Sequence, residues 1–220
     1  MDSSQTGATG EVHYRQIDLP IAECIQRGWD LALQNLGPII GYTCVCVAIH
    51  VGLAVIPILG WVAGIVINPA LSAGYFIYIR KKIRGQAAEF QDFFGGFQYL
   101  GQLFVLGLVS GFLILLGIIA CIIPGLYLAV GYMFSSFLVV ARRLDFWSAM
   151  ETSRRAVTAN LGSVIVLLLA LLGINFLGAI ACLVGLILSI PTTYCAAVVA
   201  FHMLFEEEPV IPPIRGPVVI

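Results

Sequence analysis

Charged residues come in clusters along this chain and leave three long uncharged tracts between them. Pro38 to Ile79, Phe93 to Ala141 and Ala156 to Phe205 contain no Asp, Glu, Lys or Arg. An ionised side chain at the centre of a bilayer is costly, so spans exclude it. One helical crossing takes about 20 apolar residues, and each tract has room for two. Chain breakers sit where the turns belong: Pro57 with Gly60, Pro124 with Gly125, and Gly178 to Gly185. The pattern predicts spans at 38–56, 60–79, 98–119, 124–141, 160–181 and 186–205. The expected fold class is an all-α polytopic transmembrane helical bundle of six spans in three hairpins.

A short segment with helical periodicity precedes each hairpin. In the first, Ile21, Ile25, Trp29, Ala32, Leu33 and Leu36 recur on one face, opposite Glu23, Gln26, Arg27, Asp30 and Gln34. Phe90, Phe93, Phe94, Phe97 and Leu100 form a second such face, which Gly95 and Gly96 weaken. The third runs from Asp145 through Phe146, Ala149, Met150, Ser153, Val157 and Leu161. These read as interfacial amphipathic helices. Each ends at a Leu-Gly dipeptide: Leu36-Gly37, Leu100-Gly101 and Leu161-Gly162. The recurrence predicts one membrane domain, 18–205, made of three parallel repeats (18–86, 87–143 and 144–205) about an axis along the membrane normal. Residues 1–17 read as a disordered tail and 206–220 as a Pro-rich one.

Composition agrees with the pattern. Of 220 residues 60% are hydrophobic and 10% charged, against a charged share of about 25% in soluble domains. Eleven cations and twelve acids leave a net charge of −1, which excludes the basic field that nucleic-acid binding needs. All eleven Lys and Arg fall on one side of the predicted hairpins. The positive-inside rule then makes that side cytoplasmic, with both termini there and the chain in the cytoplasmic (inner) membrane. Five of the six cysteines, all but Cys24, lie within apolar tracts and read as small buried hydrophobes.

Polar residues inside spans are the first candidates for chemistry, because hydrocarbon leaves them unsatisfied unless they find partners. A shift of 125 aligns Asn35-Leu36-Gly37 with Asn160-Leu161-Gly162 and sets His50 opposite Asn175. Asn68 before Pro69 and Ser189 two residues before Pro191 form a second pair. The four define a candidate intramembrane polar site, with interhelical hydrogen bonding as the competing reading. No metal, cofactor or catalytic motif occurs, and no acid within a span is available for proton coupling. Arg80, Lys81, Lys82, Arg84, Arg142, Arg143, Arg154 and Arg155 are candidate contacts for anionic headgroups, and contact with a protein partner is a further reading of the same clusters.

The segment from Ile122 to Leu169 carries Pro124-Gly125, an aromatic-rich span, Arg142-Arg143, Ser148-Ala149, Ser153-Arg154 and Asn160. In this it resembles uncharacterised bacterial integral-membrane proteins related to the membrane domain attached to some glycerophosphodiester phosphodiesterases. That resemblance implies a six-span inner-membrane protein and carries over no catalytic residues. The expected function is a non-enzymatic membrane scaffold or accessory factor. The alternative is a small transporter or channel for an uncharged or lipid-like solute.

Overall fold

The computed structural model describes residues 14–55, 57–180 and 184–205. Among these the chain forms α1 (Ile21–Gln34), α2 (Leu36–Ala54), α3 (Pro57–Ile83), a 3-10 helix η1 (Phe90–Tyr99), α4 (Leu100–Ala120), α5 (Ile122–Gly131), α6 (Ser135–Arg142), α7 (Phe146–Ala159), α8 (Leu161–Ile180) and α9 (Val184–Phe205). No strand occurs among the described residues. Among the described residues five stretches are long and apolar enough to cross a membrane: Leu36–Ala54, Phe90–Ala120, Ile122–Arg142, Leu161–Ile180 and Leu188–Phe205. Helix α3 has 27 residues and at 1.5 Å per residue is about 40 Å long. The protein is an all-α, multi-pass membrane bundle.

Helix pairs α2/α3, α4/α5 and α8/α9 pack as hairpins. The chain enters the first helix of each through one residue outside any α-helix and of similar backbone conformation: Asn35 (φ −124, ψ 31), Tyr99 (φ −102, ψ 12), the last of η1, and Asn160 (φ −122, ψ 26). The next helix then starts at the leucine of each Leu-Gly pair. Asn160 also ties the chain together. Its side chain accepts from Ile17 N–H at 2.9 Å and donates to the Arg15 carbonyl at 3.0 Å, while Arg15 N–H reaches the Leu204 carbonyl. The last residues of the predicted N-terminal tail are thus strapped across the starts and ends of the spans.

Each short helix docks on the second leg of another hairpin: α1 on α9, η1 on α3, and α7 on α5 and α6. The second legs meet in the core. Phe76 of α3, Phe137 of α6 and Phe201 of α9 lie in mutual contact, with ring centroids 4.7, 5.1 and 5.8 Å apart, and all three are buried.

The face that α1 turns to the protein is not the row of large apolar residues. Cys24, Gly28 and Ala32 turn inward, whereas Trp29 and Leu33 are exposed. The reason is close approach: a Cβ on Gly28 would collide with the backbone of Ala196, so small residues rather than large ones define the contact face. At η1, a Cβ on Gly74 would meet the Phe93 carbonyl and one on Gly96 the Ala70 carbonyl. Gly96, one of the two glycines that weaken an α-helix in the sequence, and Gly74 of α3 therefore let η1 lie directly on α3.

The predicted fourth span, 124–141, is interrupted. Tyr132 to Phe134 form a turn between α5 and α6. Broken backbone at membrane depth needs partners, and α7 supplies them: Ser153 Oγ donates to the Gly131 carbonyl at 2.7 Å and accepts from Phe134 N–H at 3.3 Å. Ser153 is fully buried.

Candidate functional site

The four polar candidates pair along the hairpins rather than across them. His50 Nδ1 bonds to the Cys46 carbonyl at 2.7 Å, and Nε2 lies 2.6 Å from the Asn68 side chain. A carbonyl only accepts, so Nδ1 carries the proton. Nε2 faces Asn68 Oδ1, and a neutral ring accepts there only with the amide turned so that its NH2 group takes that place. In the third hairpin Asn175 Nδ2 donates to the Leu171 carbonyl at 2.9 Å and to Thr193 Oγ1 at 2.7 Å, while Ser189 Oγ donates to Asn175 Oδ1 at 3.0 Å. Among the described residues no hydrogen bond joins the two groups. The juxtaposition of His50 with Asn175 that the sequence alignment invites is replaced by His50 with Asn68 and Asn175 with Ser189 and Thr193.

The alignment nevertheless describes each group. Cys46, His50 and Asn68 become Leu171, Asn175 and Thr193 on adding 125, and each hairpin makes the same two bonds, one to the carbonyl four residues back and one to the partner leg. Thr193 was not among the sequence candidates, although that shift points to it. The two clamps differ in setting. His50 and Asn68 are exposed on the bundle surface, whereas Ser189 is buried and Asn175 partly so.

A further polar group escaped the sequence reading because its members are aromatic. Tyr42 OH donates to the Leu71 carbonyl at 3.0 Å. Tyr75 OH donates to Thr43 Oγ1 at 2.6 Å, which itself donates to Ile39 O. Tyr75 stacks on Tyr194 at 4.5 Å, and Tyr42 on Phe93 at 4.3 Å. All of these hydroxyls are satisfied locally, and the group joins α2, α3, η1 and α9.

At the charged end most of the candidate cations have partners within the protein. Lys81 Nζ pairs with Asp92 at 2.6 Å. Arg80 lies 5.7 Å from the Phe76 ring and Lys82 5.7 Å from that of Tyr78. Arg142 Nη2 donates to the Phe205 carbonyl at 2.9 Å, and Arg143 adopts the left-handed conformation that ends α6 (φ 53). Arg154 grips Glu151 with two bonds and Arg155 adds a third. Hydrogen bonds from Arg154 and Arg155 hold the Glu151 carboxyl down at about 2. Arg80, Lys81 and Arg84 also line one wall of a cavity of about 760 Å³ between α3, η1 and α6.

Among the described residues, no cluster of three or more His, Cys, Asp or Glu side chains is arranged to hold a metal ion. Cys24 is fully buried with its sulfur 3.5 Å from that of Met203, and burial, with Glu23 beside it, pushes its thiol up to about 11. No family model, curated protein or solved structure matches the chain.

Proposed function

We propose that the protein is a scaffold or accessory factor of the cytoplasmic (inner) membrane, without enzymatic activity, crossing six times with both termini cytoplasmic. On this reading its charged rim contacts anionic headgroups and offers a face to a protein partner. The observation that carries it is the packed core. Phe76, Phe137 and Phe201 occupy the place where the second legs converge, are at most 5% exposed and fill it with rings in mutual contact. The span polar groups, in turn, serve as bonds between adjacent legs. Both features weigh for a scaffold and against a channel lined by His50, Asn68, Asn175 and Ser189.

The three-unit reading belongs to the same proposal. Its support is the shared junction conformation at Asn35, Tyr99 and Asn160, the equal 14-residue lengths of α1 and α7, and the way each short helix packs on the second leg of the preceding unit, with α1 closing the ring on α9. Kinship with the bacterial membrane proteins named above is proposed on the motif between Ile122 and Leu169.

Two measurements test the function. Protein reconstituted into liposomes is expected to release small encapsulated solutes no faster than empty liposomes, and to retain anionic lipid through mild purification. Selective solute flux would overturn the scaffold reading. A reporter fused after Lys82 or Arg143 is expected on the cytoplasmic side, and external activity would reverse the orientation.

A further inference from the structure

The three short helices sort their residues by size in one common sense. α1 buries Cys24, Gly28 and Ala32 and leaves Trp29 39% and Leu33 41% exposed. η1 buries Phe93 and Gly96, while Phe90, Phe94 and Phe97 stand outside as a row with successive ring centroids 5.9 and 6.4 Å apart. α7 buries Ala149, Ser153 and Ala156 along with Met150 and Val157, and Trp147 near its start is 58% exposed. In water this order is costly. Full burial of a large apolar side chain is worth about 1.5–3 kcal/mol, and each of these helices turns such residues away from the protein. In lipid the cost disappears, because the surroundings are as apolar as the core and close backbone approach decides which residues face inward. Gly28 against Ala196 and Gly96 against Ala70 are approaches of that kind.

Two observations identify what lies against the outward faces. Each face is continuous with a spanning helix: one residue separates α1 from α2 and α7 from α8, and η1 passes into α4 with none between. The spans themselves expose Val47 and Val51, Phe104 and Leu108, and Val166 and Leu169, the surface that acyl chains cover. The arrangement also recurs in all three units. Its occupant therefore surrounds the bundle, as a bilayer does and a single docked protein does not. Exposed Gln26, Gln34, Gln91, Gln98, Arg155 and Thr158 share the same short helices, which sets their level at the boundary of headgroups and chains rather than among the chains.

We propose that α1, η1 and α7 form a collar in the headgroup–acyl boundary of one leaflet, with Trp29, Leu33, Phe90, Phe94, Phe97 and Trp147 inserted into lipid. The collar rests on the membrane-bundle reading and adds to the charged rim a lipid contact that is apolar and independent of headgroup charge.

The test reads tryptophan fluorescence of the full chain in phosphatidylcholine bilayers whose acyl chains carry bromine either near the ester or near the terminal methyl. Trp29 is isolated by Trp61→Phe with Trp147→Phe, and Trp147 by Trp29→Phe with Trp61→Phe. Phe94→Trp, in a chain with all three tryptophans changed to phenylalanine, reports on η1, and Phe97→Trp replaces it if the melting temperature falls. Each probe is expected to be quenched about twofold more by bromine near the ester than by bromine near the chain end, with or without added phosphatidylglycerol, and to be shielded from aqueous iodide. Leu172→Trp, at a position 66% exposed midway along α8, should show the opposite depth order. Quenching of the collar probes by iodide alone would put their faces in water, and shielding from both quenchers would mean that protein covers them; either result overturns the collar. Preference for chain-end bromine, or contact that appears only with phosphatidylglycerol, would overturn it as well. With Leu172→Trp quenched near the chain end, any of these failures leaves the membrane bundle standing, whereas loss of quenching there too takes down both readings.

Discussion

The first and third hairpins are held by hydrogen bonds made between their own legs, His50 to Asn68 and Asn175 to Thr193 and Ser189. The second has Ile114 where the third has Asn175 on a shift of 61. Its polar fastening comes from outside, through Ser153 of α7 at the break between α5 and α6. The second hairpin instead shares a different device with the third. A Cβ on Gly117 would strike Gly125, and one on Gly185 would strike Gly178. Polar clamps and glycine contacts are thus two interchangeable ways to bring legs together in lipid, where apolar attraction between helices is weak. The third hairpin uses both, so it should tolerate loss of either better than the second tolerates loss of its one.

The largest effect is expected at Gly117. Gly117→Leu forces side-chain volume against the Gly125 backbone and should destabilise by about 3 kcal/mol. Gly173→Leu, where nothing lies within 4 Å, should change little; thermal unfolding in detergent reads the difference. Similar losses for both would mean that the close approach is not needed.

Next in size is Ser153→Ala, which leaves the Gly131 carbonyl and Phe134 N–H without their partner. The expected cost is about 1–3 kcal/mol, read by the same melt. An unchanged melting temperature would show that the break supports itself.

Asn175→Leu removes an interhelical clamp worth about 1–2 kcal/mol at most, and His50→Leu, at an exposed site, should cost less. The sharper experiment converts one clamp into the other. The double variant His50→Asn with Asn68→Thr reproduces the third hairpin's pair in the first and should stay within about 0.6 kcal/mol of wild type, the average of such bonds. A larger loss would separate the two hairpins despite their common register.

The smallest effect is electrostatic. Because Arg154 and Arg155 lower the Glu151 carboxyl from 4.5 to about 2, its stabilisation is complete above the ordinary value and is lost as pH falls through about 2. The gap in melting temperature between wild type and Glu151→Gln should close over that interval. A gap that persists at the lowest pH would assign the effect to shape rather than charge. The triad is partly exposed, so the gap is small throughout.

Much of the architecture was legible because its cause is local. Lipid excludes charge, so the uncharged tracts announced the hairpins, whose first helices begin at Leu36, Leu100 and Leu161 against expected starts at 38, 98 and 160. Clamp residues were legible as types but not as partners. His50 was matched with Asn175 because an alignment relates equivalent positions, whereas a hydrogen bond needs proximity. The legs of one hairpin are adjacent, and the equivalent positions of two hairpins are related only by the repeat. Cys24 shows the same limit. Its position outside the spans suits it as a probe of sidedness, yet it is fully buried with its thiol raised, so exposed Cys121 is the better labelling site.

Composition and periodicity by themselves determined the solvent, the hairpin layout and the separation of charge to one end, since each follows from the transfer cost of single residues. Tertiary structure alone decided which face of α1 is buried, that the fourth predicted span breaks at Tyr132, and that Phe76, Phe137 and Phe201 meet at the core. It also decided that an arginine-lined cavity opens beside η1. These outcomes depend on how closely two backbones approach, and that distance is set jointly by residues far apart in the chain.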